Sequence, residues 1–311
     1  MIAHWDEVEG ERAEQGHLAG MWFDLGTAAG SRNVGVTRIQ VDPARWSTPA
    51  HVELDEEEIY FVLAGSGLLW QGEKTHEVRA GDCVVQRVAD EAHTFRAGDD
   101  GLDILAFGER TNPTATYLPR AQVMRMGVTL DVSAGPHPWE REAAAGEPDL
   151  PAPSERPTNI VHPDAVEADY DGDAGRWVTL ARKAGAVRTG LNWGRLEPGR
   201  AGAPPHCHSA DEEIFVILEG SGTLELWPSP ARGGERETHE VRGGHVVSRP
   251  PGTGIAHHFR AGDEGMTFLA YGTREPNDIC YYPRSNKIFW RGVGVIGRIE
   301  ALDYWDGEEP E

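Results

Sequence analysis

Apolar residues along the chain come in short runs such as Ile59-Tyr60-Phe61-Val62-Leu63, Ile214-Phe215-Val216-Ile217-Leu218 and the stretch His245–Arg249, bounded by Gly, Pro or acidic residues. Runs of that length between turn formers predict β-strands, and no stretch carries the period of a long helix. The pattern is all-β, and a double-sheet jelly roll fits it, because strands closed around an interior leave few open edges. Residues 134–176 are rich in Pro, Ala and acid and lack a sustained apolar period, so they read as a connection, most extended at 148–157. This divides the chain into a first domain at 1–133, the connection at 134–176 and a second domain at 177–311. The run 214–218 is apolar on both faces, which implies covered surfaces and a homodimer.

The two domains are copies of one another. Trp22 to Gly67 aligns with Trp177 to Gly222 at a constant offset, matching Pro43 with Pro198, His51 with His206, Glu58 with Glu213 and Gly65-Ser66-Gly67 with Gly220-Ser221-Gly222. After an insertion around Pro228-Ser229-Pro230, Thr75–Arg79 pairs with Thr238–Arg242 and His93–Gly98 with His257–Gly262. Such internal similarity means one structural unit built twice.

Charge narrows the partners. With 311 residues and a net charge of −22, the chain lacks the basic surface that nucleic acid requires. Mean hydropathy is −0.48, no apolar run approaches the roughly 20 residues of a membrane span, and the acidic start MIAHWDEVEGERAEQ is unlike a signal peptide. A cytoplasmic protein with a small-molecule ligand is the expectation. Cys83, Cys207 and Cys280 form no CxxC motif. Alternation along a strand turns the Cys207 sulfur away from its neighbours' face, as a small core residue.

The candidate chemistry lies in PPHCHSADEEIFVILEGSG, residues 204–222. His206 and His208 are two apart, so in a strand both imidazoles point the same way. The polar turn 209–212 then brings Glu213 back beside them at the start of the next strand, and a fourth donor, His257, follows a Pro/Gly-rich turn. Three imidazoles and one carboxylate suit a divalent transition metal (Fe, Mn, Ni, Cu or Zn) and leave coordination positions open.

The order His206-x-His208-x4-Glu213-x6-Gly220, followed by Gly254-x2-His257, resembles the two motifs of the cupin superfamily. Two departures are visible: Gly199 sits one residue further from His206 than usual, and Pro250–Gly254 lengthens the second motif's turn. With the repeat, the chain resembles a bicupin, similar to members without an assigned substrate. The resemblance implies two tandem double-stranded β-helix (jelly-roll) barrels, with metal ligands His206, His208, Glu213 and His257 in the second. The first copy carries Glu53 opposite His208, giving His51, Glu53, Glu58 and His93, a harder and more anionic set. The second site is expected to hold metal more tightly and to be the catalytic one. Trp193, Arg195, His245 and Arg249 stand where the first copy has Arg38, Gln40, Asp82 and Gln86, and differences between copies are candidate substrate-binding positions.

Three function classes follow from the resemblance and the open metal site. The leading expectation is a metal-dependent enzyme on a small organic substrate, an Fe dioxygenase and so an oxidoreductase. The alternatives are a Mn-, Ni- or Zn-dependent isomerase, decarboxylase or lyase, and a non-catalytic protein that binds or stores a small molecule.

Overall fold

The computed structural model describes residues 1–111, 113–126 and 135–308. Strands dominate, arranged as two eight-stranded sheets accompanied by a three-stranded and a four-stranded sheet. Each repeat wraps one large sheet against a small one, and long strands make the wrap possible. Glu58–Gln71 runs antiparallel to His93–Glu109, and Glu213–Pro228 to Ile255–Thr273, each pair interrupted by two register shifts. The repeated Gly-Ser-Gly lies at the second shift of each pair, where an extra residue bends the strand. Gly220 has φ +74°, and a Cβ there would sit 2.1 Å from the Gly265 carbonyl oxygen, so no other residue fits without moving the partner strand.

The barrels close where the small sheets meet the large ones. Val52–Glu53 pairs with Ala115–Leu118, and Cys207–His208 with Ile279–Tyr282. Next to each lies a backbone bridge between histidines, His51 to His93 and His206 to His257. The closure therefore carries the predicted donors inward from both sheets.

Both faces of 214–218 are covered, but not by a second chain. Phe215 and Ile217 pack inside their own barrel, whereas Ile214 and Val216 join Ile59, Phe61, Phe107, Leu180 and Tyr271 in a core shared by the two barrels. The apolar double face that implied a homodimer is met within one chain. Two buried glutamates reinforce the contact. Glu57 accepts hydrogen bonds from the backbone N–H groups of Val187, Arg188 and Thr189, and Glu212 from those of Arg32 and Asn33.

The expected boundary at 133/134 lies outside the described residues. Several pairings cross the expected divisions. Ile2–His4 adds a strand to the second barrel's large sheet, and Ile160–Val161 adds one to the first barrel's. Pro138–Ala145 forms a helix capped by His137, with Trp139 edge-on to Trp22 at 5.5 Å. Its two turns are too short to display an apolar period in sequence. Residues 148–157 carry no strand or helix. No helix among the described residues is long and apolar enough to cross a membrane.

Candidate metal centres

In the second barrel the strand geometry delivers four donors to one place. Pro204 sets the first: its carbonyl lies 2.7 Å from His206 Nδ1, and since a carbonyl only accepts, Nδ1 carries the proton and Nε2 is left with its lone pair. His208 Nδ1 is 2.7 Å from Asp278 Oδ2, so Nδ1 holds a proton there too and Nε2 is the atom left to ligate once its own proton is given up. Glu213 Oε2 then lies 3.1 Å from His257 Nε2, 3.3 Å from His208 Nε2 and 3.9 Å from His206 Nε2. The buried atoms His208 Nε2, His257 Nε2 and Glu213 Oε2 converge in this way without a hydrogen bond of acceptable geometry. Buried polar atoms left unpaired are costly, and a shared divalent ion would satisfy all three. The donor set fits such an ion.

The electrostatics agree. Burial disfavours charge on His208, but Glu213 and Asp278 outweigh it and push its pKa up to about 10. Burial and the neighbouring His206 take His257 down to about 3. Against the cost of burial, His208 and His257 hold the Glu213 carboxyl well below its usual range. At neutral pH the metal-free centre thus stores a proton on His208 that a ligating imidazole must give up. Loading with Mn(II) at pH 7 should release about one proton per ion from this centre, and affinity should rise with pH between 7 and 10, where His208 loses its proton unaided. Calorimetric titration in buffers of different ionisation enthalpy measures the release; a binding enthalpy independent of buffer would contradict it.

The first barrel repeats the plan with altered chemistry. His51 Nδ1 lies 2.9 Å from the Pro49 carbonyl, and Glu58 Oε2 lies 3.3 Å from His51 Nε2 and 3.1 Å from His93 Nε2. Glu53 is turned toward Thr116, whose hydroxyl donates to both its oxygens at 2.9–3.0 Å, and groups with Glu56 and Glu58 rather than with the histidines. Burial and the Glu58 charge push Glu53 up to about 7 and Glu56 up to about 9. Against burial, Glu58 raises His51 to about 9. Tyr60 places its hydroxyl 3.2 Å from His93 Nε2, where the second barrel has Phe215.

The substrate-binding candidates disperse. Strand Thr189–Leu196 alternates, so Asn192 and Leu196 face the barrel interior while Trp193 and Arg195 line a groove between the barrels beside Trp5 and Arg38. His245 meets His4 edge-on at 4.9 Å, in register on the neighbouring strand Ile2–His4. None of these three lines the cavity beside the second centre. Arg249 is 9% exposed, stands in register with Glu213 on the neighbouring strand, and donates from Nη2 to the Ile255 carbonyl at 2.7 Å, while its Nε has no partner. Asp278 and Cys280 were not expected. Asp278 is held by the N–H groups of Ser209, Ala210 and Asp211, and the Cys280 sulfur lies within 4.8 Å of nitrogens on His206 and His208. Cys280 aligns with Thr116, so only the comparison of copies pointed to that position.

Comparison with known proteins bears on the fold. Residues 37–106 match the family model described as a cupin domain. A search of the curated proteins gives no match. Among solved structures the chain is similar to Bacillus subtilis oxalate decarboxylase, in a study of its Mn(II) centres, with TM-score 0.62 and 17% identity over 89% of this chain and 78% of that one. The formate complex of Lactobacillus farciminis oxalate decarboxylase gives TM-score 0.59 and 16% identity over 88% and 86%. At such identities the likeness speaks for the fold. With the duplicated motif and the two-barrel topology, the cupin-domain match over residues 37–106 and the likeness to these structures give the chain the fold of two tandem cupin barrels.

Proposed function

We propose that this bicupin is a metal-dependent enzyme that removes a carboxyl group from a small organic acid without oxygen, and that the second centre, with ligands His206, His208, Glu213 and His257, is the working one. The observation that carries the reading is the set of converging, unpaired buried donors on the wall of an interior cavity of about 300 Å³. A divalent ion held there supplies Lewis acidity to a substrate oxygen. In the reaction the C–C bond to the carboxylate breaks, CO2 leaves, and the electron pair remaining on the substrate takes up a proton from solvent. Atoms and electrons balance with no oxidant, as an isomerase or lyase would also require. The barrel's part is to exclude bulk water and to fix the imidazoles through Pro204 and Asp278.

Two considerations support a non-oxidative reaction over the Fe dioxygenase expectation. Solved structures of like fold include oxalate decarboxylases, one described with Mn(II) centres. The first centre, rich in carboxylates, also suits a hard ion such as Mn(II) better than a softer one. The first centre is then a second Mn(II) site formed by His51, Glu58 and His93, with Glu53 close by.

Protein loaded separately with Mn(II) and Fe(II) should release CO2 from 3-oxo acids or dicarboxylates with no oxygen uptake, and lose this activity in His206→Ala. Substrate-dependent oxygen consumption would move the assignment to a dioxygenase. Saturable binding without turnover would favour a binding protein.

A further inference from the structure

The second barrel's cavity is apolar where it leaves the metal centre. From the ligand His257 a chain of rings leads inward: Phe215 at 5.2 Å, Phe259 at 4.8 Å from Phe215, Phe268 stacked on Phe259 at 6.1 Å, and Trp177 at 6.0 Å from Phe268. Leu196 and Ala270 complete the apolar wall, with Asn192 among the few polar groups lining it. An apolar cavity of roughly 150 Å³ already accommodates benzene, so about 300 Å³ has room for a ring and a short chain.

The metal end of the same cavity has the opposite character. His206, Glu213 and His257 line that end, and three neutral imidazoles and one carboxylate around a divalent ion would leave one net positive charge there. One end would therefore attract an anion, while the ring-lined wall offers few partners to a polar group. A small dianion such as oxalate has no apolar surface to place against Phe259 and Phe268, and its second carboxylate would be desolvated there without a partner.

Resting on the metal-centre reading above, we propose that the second barrel takes a monocarboxylate with an apolar body, aromatic or branched aliphatic, whose carboxylate meets the ion and whose body fills the ring-lined cavity. The first barrel differs at the decisive places: Tyr60 replaces Phe215 and lays its hydroxyl on His93, and Ile104 replaces Phe268. The preference belongs to the second barrel alone.

Titration of the Mn(II)-loaded protein with 3-phenylpropionate, acetate and oxalate tests this by calorimetry. Burial of a phenyl ring should make 3-phenylpropionate bind roughly 50-fold tighter than acetate, and tighter than oxalate. Gly202 lines the cavity, and the atoms nearest a Cβ there would be those of Leu196 and the Phe259 carbonyl oxygen at 3.6–3.9 Å, ordinary contact. Gly202→Leu should therefore fill the space, abolish the preference and keep the metal content. The wild-type ranking decides the matter if that variant does not fold: acetate or oxalate binding as tightly as 3-phenylpropionate overturns the proposal. Preferential binding with no turnover of any acid leaves the cavity assignment standing and sinks the decarboxylase reading. Oxalate turnover with no preference for the phenyl acid does the reverse.

Discussion

Replacing His206 and His208 together by alanine should empty the second centre, remove one metal ion per chain and abolish CO2 release. Losing even an outer partner of a ligand costs roughly 10- to 100-fold in affinity, and this change removes two of three imidazoles, leaving only Glu213 and His257. The fold should survive. Asp278, deprived of His208, still accepts from the N–H groups of Ser209, Ala210 and Asp211, and both deleted rings lie at the barrel closure rather than in the shared core. Elemental analysis of protein purified from manganese-supplemented culture gives the readout. An unchanged metal content in that double variant, with His51 and His93 also replaced, would refute the ligand assignment.

Glu57→Ala should destabilise the chain by roughly 3–5 kcal/mol, the range for stripping a buried charge from its hydrogen-bonded partners. Glu57 is 0% exposed and accepts from the N–H groups of Val187, Arg188 and Thr189 and from the Thr189 hydroxyl, at 2.9–3.2 Å. Alanine leaves the buried Thr189 N–H and hydroxyl with nothing to bind. A fall of the thermal midpoint on the order of 10 °C follows for a chain of this size, with a smaller loss for Glu57→Gln, which keeps an acceptor. Glu212 mirrors the arrangement through Arg32 and Asn33, so Glu212→Ala should behave alike. A midpoint within about 2 °C of wild type would show that the barrels hold together without these links. Glu57 and Glu212 directly precede Glu58 and Glu213, and alternation sends one carboxylate across the interface and the next into the metal centre.

The strand runs, the duplication and the inward-facing quartet His206, His208, Glu213 and His257 were legible in the sequence because each rests on local spacing: period two along a strand, glycines at bends, and copies in fixed register. The triad His51, Glu58 and His93 was legible for the same reason. Glu53 was placed in that set by alignment alone, and its turn toward Thr116 and Glu56 depends on a strand more than 60 residues away. The tertiary structure alone decided what surrounds the donors. Asp278 reaches His208 through the pairing of Cys207–His208 with Ile279–Tyr282, a contact no local pattern encodes. The pleat sent Trp193 and Arg195 to the interface and Asn192 to the cavity, an assignment that flips with a register shift of one residue. The doubly apolar run 214–218 announced that both of its faces are buried, but not against what. The barrels' mutual packing supplied the answer, because the free energy of burying apolar area is indifferent to whether the covering surface comes from the same chain or another.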